Sequence, residues 1–177
     1  WTSYRDVFVS STENTATSSI NKLTNDFIYY YEKGFRANKV GIPAGVFSND
    51  VLPDRVEAYY SKIYSKDLAL EAMTAIDNFF KGKHFNSDET GDSFKTYLDF
   101  LDVIKNESNL SALITEKFSS AKSSIESLDD NFALQLEQDY VKVLETYDAI
   151  QLGVVLLKVD MLQALSINVD YVDADGD

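Results

Sequence analysis

The chain has 177 residues, of which 45% are hydrophobic and 25% are charged, so it fits one domain that is long enough to bury a core. Its formal net charge of -13 argues against a nucleic-acid partner, because a phosphate backbone is bound through clustered Lys and Arg and no such cluster occurs. There is no cysteine, which excludes disulfides and thiolate metal sites, and no uninterrupted apolar run approaches the roughly 20 residues that span a bilayer.

The first predicted element is an amphipathic helix over residues 13–37. Apolar residues recur there at spacings of four and three and would form one buried stripe, made of Ala16, Ile20, Leu23, Phe27, Tyr30 and Gly34. The following stretch, NKVGIPAGVFSNDVLP, carries both prolines of the chain, so we expect the helix to end near Asn38 and a structured loop to begin. Pro53 and Asp54 favour the first turn of a short helix that runs to about Tyr60.

Three more helices are predicted in the middle of the chain. Ser65 suits the N-cap of the first, whose apolar positions are Leu68, Ala72, Met73, Ile76, Phe79 and Phe80. A polar surface loop, KGKHFNSDETGDS, follows it. The other two helices are separated by KNESN, and their apolar positions are Phe94, Tyr97, Leu98, Leu101 and Ile104 in one and Leu110, Ile114, Phe118, Ala121, Ile125 and Leu128 in the other.

The last predicted helix is the longest and the most apolar. Its helical repeat is kept by Leu136, Tyr140, Val143, Tyr147, Ile150, Val154, Leu157, Met161 and Leu165. After it, the alternation in SINVDYVD suits a short extended tail packed along one face, and strand signal occurs nowhere else. The predicted fold is therefore all-α: an up-and-down helical bundle, four-helix-bundle-like, with short extra helices and a short extended C-terminal tail.

The residues alone do not predict a complete catalytic set. His84 is the sole histidine, whereas a zinc-protease helix needs two histidines one turn apart with a Glu between them. The same histidine would have to serve as base for any serine nucleophile. His84 with Asp88 and Glu89 would make a partial metal site, but a histidine in a polar loop is more often simply solvated. Pairs of neighbouring carboxylates are common in so acidic a chain and therefore do not indicate an active site.

Three stretches of the chain resemble one protein family. They are NKVGIPAG, with Lys39, Gly41 and Pro43; PDRVEAYYS, with Pro53, Val56, Glu57 and Ser61; and the terminal LQALSINVDYVDADGD. In this order and spacing they are similar to the C-terminal half of the imelysin family, over about residues 12–177. We therefore expect residues 1–12 to be the remnant of a preceding segment and residues 13–177 to be an imelysin-like C-terminal helical bundle domain.

The resemblance implies a function that the residues do not. Imelysins have two helical bundles in a longer chain that bacteria export to the periplasm or hold at the outer cell surface as lipoproteins. The family implies a binding or accessory role in iron uptake, or alternatively a metallopeptidase whose G-x-H-x-x-E motif lies in the N-terminal half. The similar stretch GKHFNS lacks the motif, because Ser87 stands where the Glu would be. The expected partner is thus an N-terminal half of the same protein, with any lipid anchor upstream.

The resemblance also supplies candidate site residues. Lys39, Gly41, Pro43, Glu57 and Ser61 would line a ligand-binding or interface cleft where the two bundles meet; a Lys39–Glu57 charge pair that only pins a loop is the alternative. The terminal DADGD, which begins like a calcium loop, either tethers the bundle end or binds a metal through Asp173, Asp175 and Asp177. A carboxylate-only site would favour calcium, whereas the family implies iron or zinc, so the metal stays open.

Overall fold

The long helices of the computed structural model lie where the sequence predicts them. The structure describes residues 2–171 and is an all-α bundle with very little strand. The bounds are α1 Thr2–Ser10, α2 Ser19–Tyr29 continued by a π-helical segment Tyr30–Gly41, α3 Ser65–Lys81, α4 Phe94–Phe100, α5 Leu110–Glu126, and α6 Phe132–Val155 continued by a π-helical segment Leu156–Met161 and a last turn Leu162–Ala164. No helix between residues 2 and 171 is long and apolar enough to cross a membrane.

The core is built mainly by α5 and α6 together with α2 and α3. Phe118 of α5 lies at its centre, with its ring centroid 5.4 Å from that of Tyr31 and 5.6 Å from that of Phe80. The apolar positions predicted for α5 are all buried. In α3, however, Leu68 and Phe79 are 38% and 46% exposed, so two predicted core positions are wrong.

The second half of α2 departs from the predicted stripe. Phe27 is buried, but Tyr30 is 45% exposed, and the buried aromatic positions are instead Tyr31 and Phe35. The reason is the hydrogen bonding: a π-helix bonds each residue to the fifth one on and has a wider turn than an α-helix, so the inward face moves off the 3.6-residue repeat. The helix also begins later than predicted, at Ser19, and ends later, at Gly41.

The long final helix is confirmed, with one break. Asn131 caps its start, and its side-chain oxygen accepts from the backbone N–H of Ala133 at 3.2 Å. Asp139 then leaves helical geometry (φ -155°, ψ 78°), and Tyr140, predicted as a buried position, is 46% exposed beside this break. Beyond it the predicted repeat holds to Met161, where the residue is fully buried.

Three shorter elements differ from the predictions. The helix expected from Pro53 to Tyr60 is two single 3₁₀ turns, Pro53–Arg55 and Tyr59–Ser61, because Ala58 between them takes a left-handed conformation (φ 56°). Residues 104–109 form a small antiparallel hairpin, in which Ile104 pairs with Asn109, where a helix and its break were expected. Ser65 is the first residue of α3 rather than its N-cap.

Candidate functional site

The Lys39–Glu57 pair lies at the end of α2. Lys39 Nζ donates to Glu57 Oε2, with the lysine side chain 13% exposed and the carboxylate 46% exposed. The two residues belong to the first and second of the stretches that resemble imelysins, which the structure thus brings together. The pair was expected from the sequence, and its carboxylate stays half exposed to solvent.

Gly41 and Pro43 shape the loop beside this pair. A Cβ on Gly41 would lie 2.7 Å from Cε2 of Tyr147 and 2.8 Å from Cε2 of Phe47, so only a glycine lets the helix end approach these rings. Pro43 is buried, and its carbonyl accepts from Leu52 N–H at 2.8 Å, which closes the loop. Both residues therefore shape the backbone of the loop next to the charge pair.

Ser61 is held within its own turn. Its hydroxyl donates to the Ala58 carbonyl at 2.7 Å and accepts from the backbone N–H of Ile63 at 3.4 Å. This turn follows directly on Glu57, whose carbonyl accepts from Ser65 Oγ at 3.0 Å. Ser61 thus positions the segment that carries Glu57, and the structure does not bring its hydroxyl to Lys39.

A buried ionic cluster lies deeper along α2, and the sequence reasoning missed it. Glu32 is fully buried, and its Oε1 lies 3.1 Å from Lys158 Nζ and 3.6 Å from Arg36 Nη2. Its other oxygen accepts from the Tyr171 hydroxyl at 3.1 Å. Arg36 is 2% exposed and donates to the Tyr147 hydroxyl at 2.7 Å. Charged side chains are rarely this buried unless they are paired in this way.

Both π-helical segments contribute to this cluster. Glu32 and Arg36 come from Tyr30–Gly41, and Lys158 comes from Leu156–Met161. Because π-helical turns are rare and occur frequently at functional sites, their meeting here makes the cluster the least ordinary feature of the bundle. A sequence signal for it exists: Lys158 interrupts the most apolar stretch of the chain, LGVVLLKVDML, and a charge in such a place needs a buried counter-charge.

Tyr31 links α2, through its π-helical continuation, to α6 by a hydrogen bond between uncharged groups. Its hydroxyl donates to the Ile150 carbonyl at 3.0 Å, and burial raises the pKa of the phenol, so it stays protonated and keeps donating. The helix can approach because residue 153 is a glycine: a Cβ there would lie 2.8 Å from Cζ of Tyr31. α2 and α6 are therefore fixed to each other next to the ionic cluster.

The extended tail is clasped to the first half of α2, as the sequence predicts. Asn25 is buried, and its side chain donates to the Asn168 carbonyl at 3.1 Å and accepts from Asp170 N–H at 3.1 Å. Ile167 is buried and Tyr171 reaches Glu32, so the tail covers the ionic cluster. The candidate metal ligands Asp173, Asp175 and Asp177 lie outside the described residues.

Metal ligands do not gather in the part of the chain that the structure describes. No three His, Asp or Glu side chains between residues 2 and 171 are placed to hold one ion. His84 is in the polar loop, 56% exposed, with its Nδ1 3.9 Å from Glu89 Oε2. Within these residues the donor set does not fit a resident iron or zinc ion, so any metal chemistry would need ligands from elsewhere.

The chain was compared with known proteins at three levels. Neither the family models, nor the curated proteins, nor the solved structures yield a match. The imelysin resemblance therefore stays a hypothesis that rests on its three sequence stretches.

Proposed function

We propose that this chain is the C-terminal helical bundle of an imelysin-like exported bacterial protein, with a binding or accessory role in iron uptake that depends on an N-terminal half. One observation carries the proposal. The Lys39–Glu57 pair joins two of the stretches that carry the resemblance at one end of the bundle. A partly exposed charge pair that two of these stretches share, 18 residues apart in the chain, supports an interface cleft at this end.

The loops around the pair support a partner surface. Residues 42–64 expose several large apolar side chains to solvent, namely Val46, Phe47, Val51, Tyr60, Ile63 and Tyr64. Tyr60 is the most exposed of them, at 93%. Aromatic residues are enriched in the buried part of protein interfaces, with polar groups at the rim. We infer that an N-terminal bundle covers this end, leaving the Lys39–Glu57 pair in the cleft between the two bundles.

The proposal assigns the metal to the N-terminal half. The described residues lack a three-ligand set, so this chain would supply the second wall of the cleft, with Lys39 and Glu57 facing the bound ligand. The alternative, a metallopeptidase, uses the same arrangement with the G-x-H-x-x-E motif opposite. Metal analysis of the purified protein would show whether it holds iron, zinc or calcium. A peptide-cleavage assay would distinguish a peptidase from a binding protein.

Purification from the native cell without chelator tests the proposal. We expect the periplasmic or surface fraction to contain this chain with an N-terminal half, in one polypeptide or two, and about one equivalent of iron or zinc. Lys39→Glu should weaken that association at least tenfold, because it places two carboxylates side by side. The matched control is Lys95→Glu, which reverses a charge in an exposed pair with Asp99. This chain alone and free of metal, or equal effects of the two variants, would contradict the proposal.

A further inference from the structure

A concave pocket lies between α6 and the loop that follows the first π-helical segment. We call it the loop pocket: a cavity of about 440 Å³ bounded by loop residues 44–51 and by one side of α6. Its volume falls in the range of small-molecule sites, roughly 300–1,000 Å³. The α6 residues that line it have the spacing of a single helix face, namely Tyr140, Leu144, Tyr147 and Asp148. Two separate parts of the chain therefore build the pocket.

Backbone contacts fix the loop side of the pocket. Leu52 N–H donates to the Pro43 carbonyl at 2.8 Å, and Ser48 N–H donates to the Gly45 carbonyl at 3.1 Å. Gly45 has a φ of 77°, and a Cβ there would lie 2.5 Å from the carbonyl oxygen of Asp50, so the loop can fold back on itself only at a glycine. The cavity is thus formed before a ligand enters it, as is usual for small-molecule sites.

Two tyrosines give the pocket an aromatic wall. Tyr147 is 9% exposed and is held from behind, because its hydroxyl accepts from Arg36 at 2.7 Å and its ring centroid lies 6.2 Å from that of Phe47. Tyr140 is 46% exposed and follows the break in α6 at Asp139. The face of an aromatic ring is negative and attracts a cation. Tyr147 is therefore a rigid back wall, and Tyr140 is the ring that is open to a bound cation.

The charged side chains that line the pocket are both negative. Asp50 lines it from the loop and Asp148 from α6, and none of the described lining residues is Lys, Arg or His. Both carboxylates are exposed, and neither belongs to an ion pair within residues 2–171. Arg36, behind the aromatic wall, faces Glu32 of the buried cluster at 3.6 Å. The pocket therefore favours a positively charged ligand.

We propose that the loop pocket binds a small organic cation, an amine with an apolar body. The ammonium group pairs with Asp50 and Asp148 and lies against the Tyr140 ring, and the apolar body contacts Leu144 and Val51. Aromatic rings recognise ammonium groups in this way in other proteins. A metal ion fits the pocket less well, because the described part of the chain brings no three His, Asp or Glu side chains together and hard cations take six or more oxygen ligands.

The loop pocket is separate from the Lys39–Glu57 pair. Neither of these two residues lines it, although its loop is part of the exposed surface that the proposed function assigns to a partner. The walls described above all come from this chain. Binding by the 177-residue chain alone therefore tests the inference without an N-terminal half, and the two proposals fail independently.

Isothermal titration calorimetry of the chain with 2-phenylethylamine at pH 7 is the test. We expect a dissociation constant of about 1 mM or lower. The uncharged counterpart 2-phenylethanol should bind at least about fivefold more weakly, because it lacks the attraction to the two carboxylates. Asp148→Asn should weaken amine binding about fivefold, and Tyr140→Leu about two- to fivefold. The matched control is Glu145→Gln, which removes the same charge from α6 outside the pocket and should bind like wild type. Circular dichroism would confirm that each variant is folded.

Three results would overturn the proposal. The first is a folded wild-type chain that does not bind the amine. The second is equal affinity for the amine and the alcohol, because an apolar cavity alone would then explain the binding. The third is an equal effect of Asp148→Asn and Glu145→Gln, because the net charge of the chain, and not the pocket, would then attract the amine.

Discussion

Gly153→Ala should destabilise the fold, because the new methyl group would collide with Tyr31. Its Cβ would lie 2.8 Å from Cζ of that ring, against an ordinary contact of 3.4 Å or more. The ring cannot swing away freely, since it packs 5.7 Å from Phe35 and 5.4 Å from Phe118. Overpacking costs about 1–3 kcal/mol. Displacing the hydroxyl from the Ile150 carbonyl costs about 1–3 kcal/mol more, and the higher helix propensity of alanine returns about 1 kcal/mol.

The net expectation is a loss of about 1–5 kcal/mol in the free energy of unfolding, or about 2–20 °C in Tm. Urea and thermal unfolding followed by circular dichroism would measure it. Gly34→Ala is the matched control: its Cβ would lie 2.7 Å from the Tyr30 ring, but that ring is 45% exposed and can rotate outward. Adding Tyr31→Phe should relieve part of the Gly153→Ala cost. Equal stability of the two alanine variants would refute the packing argument.

Two further predictions concern charges. Glu32→Gln should lower the free energy of unfolding, measured in urea, by about 3–5 kcal/mol, because it removes the buried carboxylate that Lys158 and Arg36 face. A loss below about 1 kcal/mol would contradict this role. Asp99 accepts from Lys95 and Ser111, and these hydrogen bonds lower the pKa of its carboxyl. The stability it contributes is therefore present above the ordinary aspartate pKa and lost as the pH falls through the lowered one. Asp99→Asn should be less stable than wild type at pH 7, and the difference should shrink in acid; a constant difference would contradict this.

Helices with a regular 3.6-residue repeat were predictable from the sequence. α5 is the clearest case, because the apolar positions predicted for it are all buried and Asn109 caps its start. The second half of α2 was not predictable, since π-helical bonding moves its inward-facing positions off the 3.6-residue repeat. The hairpin at residues 104–109 was hidden for a different reason: its turn uses Asn106 and Glu107 at positive φ, without the glycine that usually marks such turns.

The candidate site was predictable only in part. The Lys39–Glu57 contact was predictable from a cation at the end of one helix and an acid on the short helix predicted after the loop. The buried cluster could not be assembled in the same way, because Glu32 and Lys158 are 126 residues apart in the chain. The tail was expected along one face of the bundle, but no local pattern indicates that Tyr171 would reach Glu32.

The contact between the extended tail and α2 affects the rate of unfolding. Asn25 and Asp170 are 145 residues apart, so their contact closes almost the largest loop in the described chain. Such contacts stabilise the chain only after the intervening helices have assembled, because the entropic cost of closing the loop must first be overcome. A contact that forms after the folding transition state slows unfolding with little effect on folding. We therefore expect this contact to form late in folding and to act mainly by slowing the unfolding of the bundle.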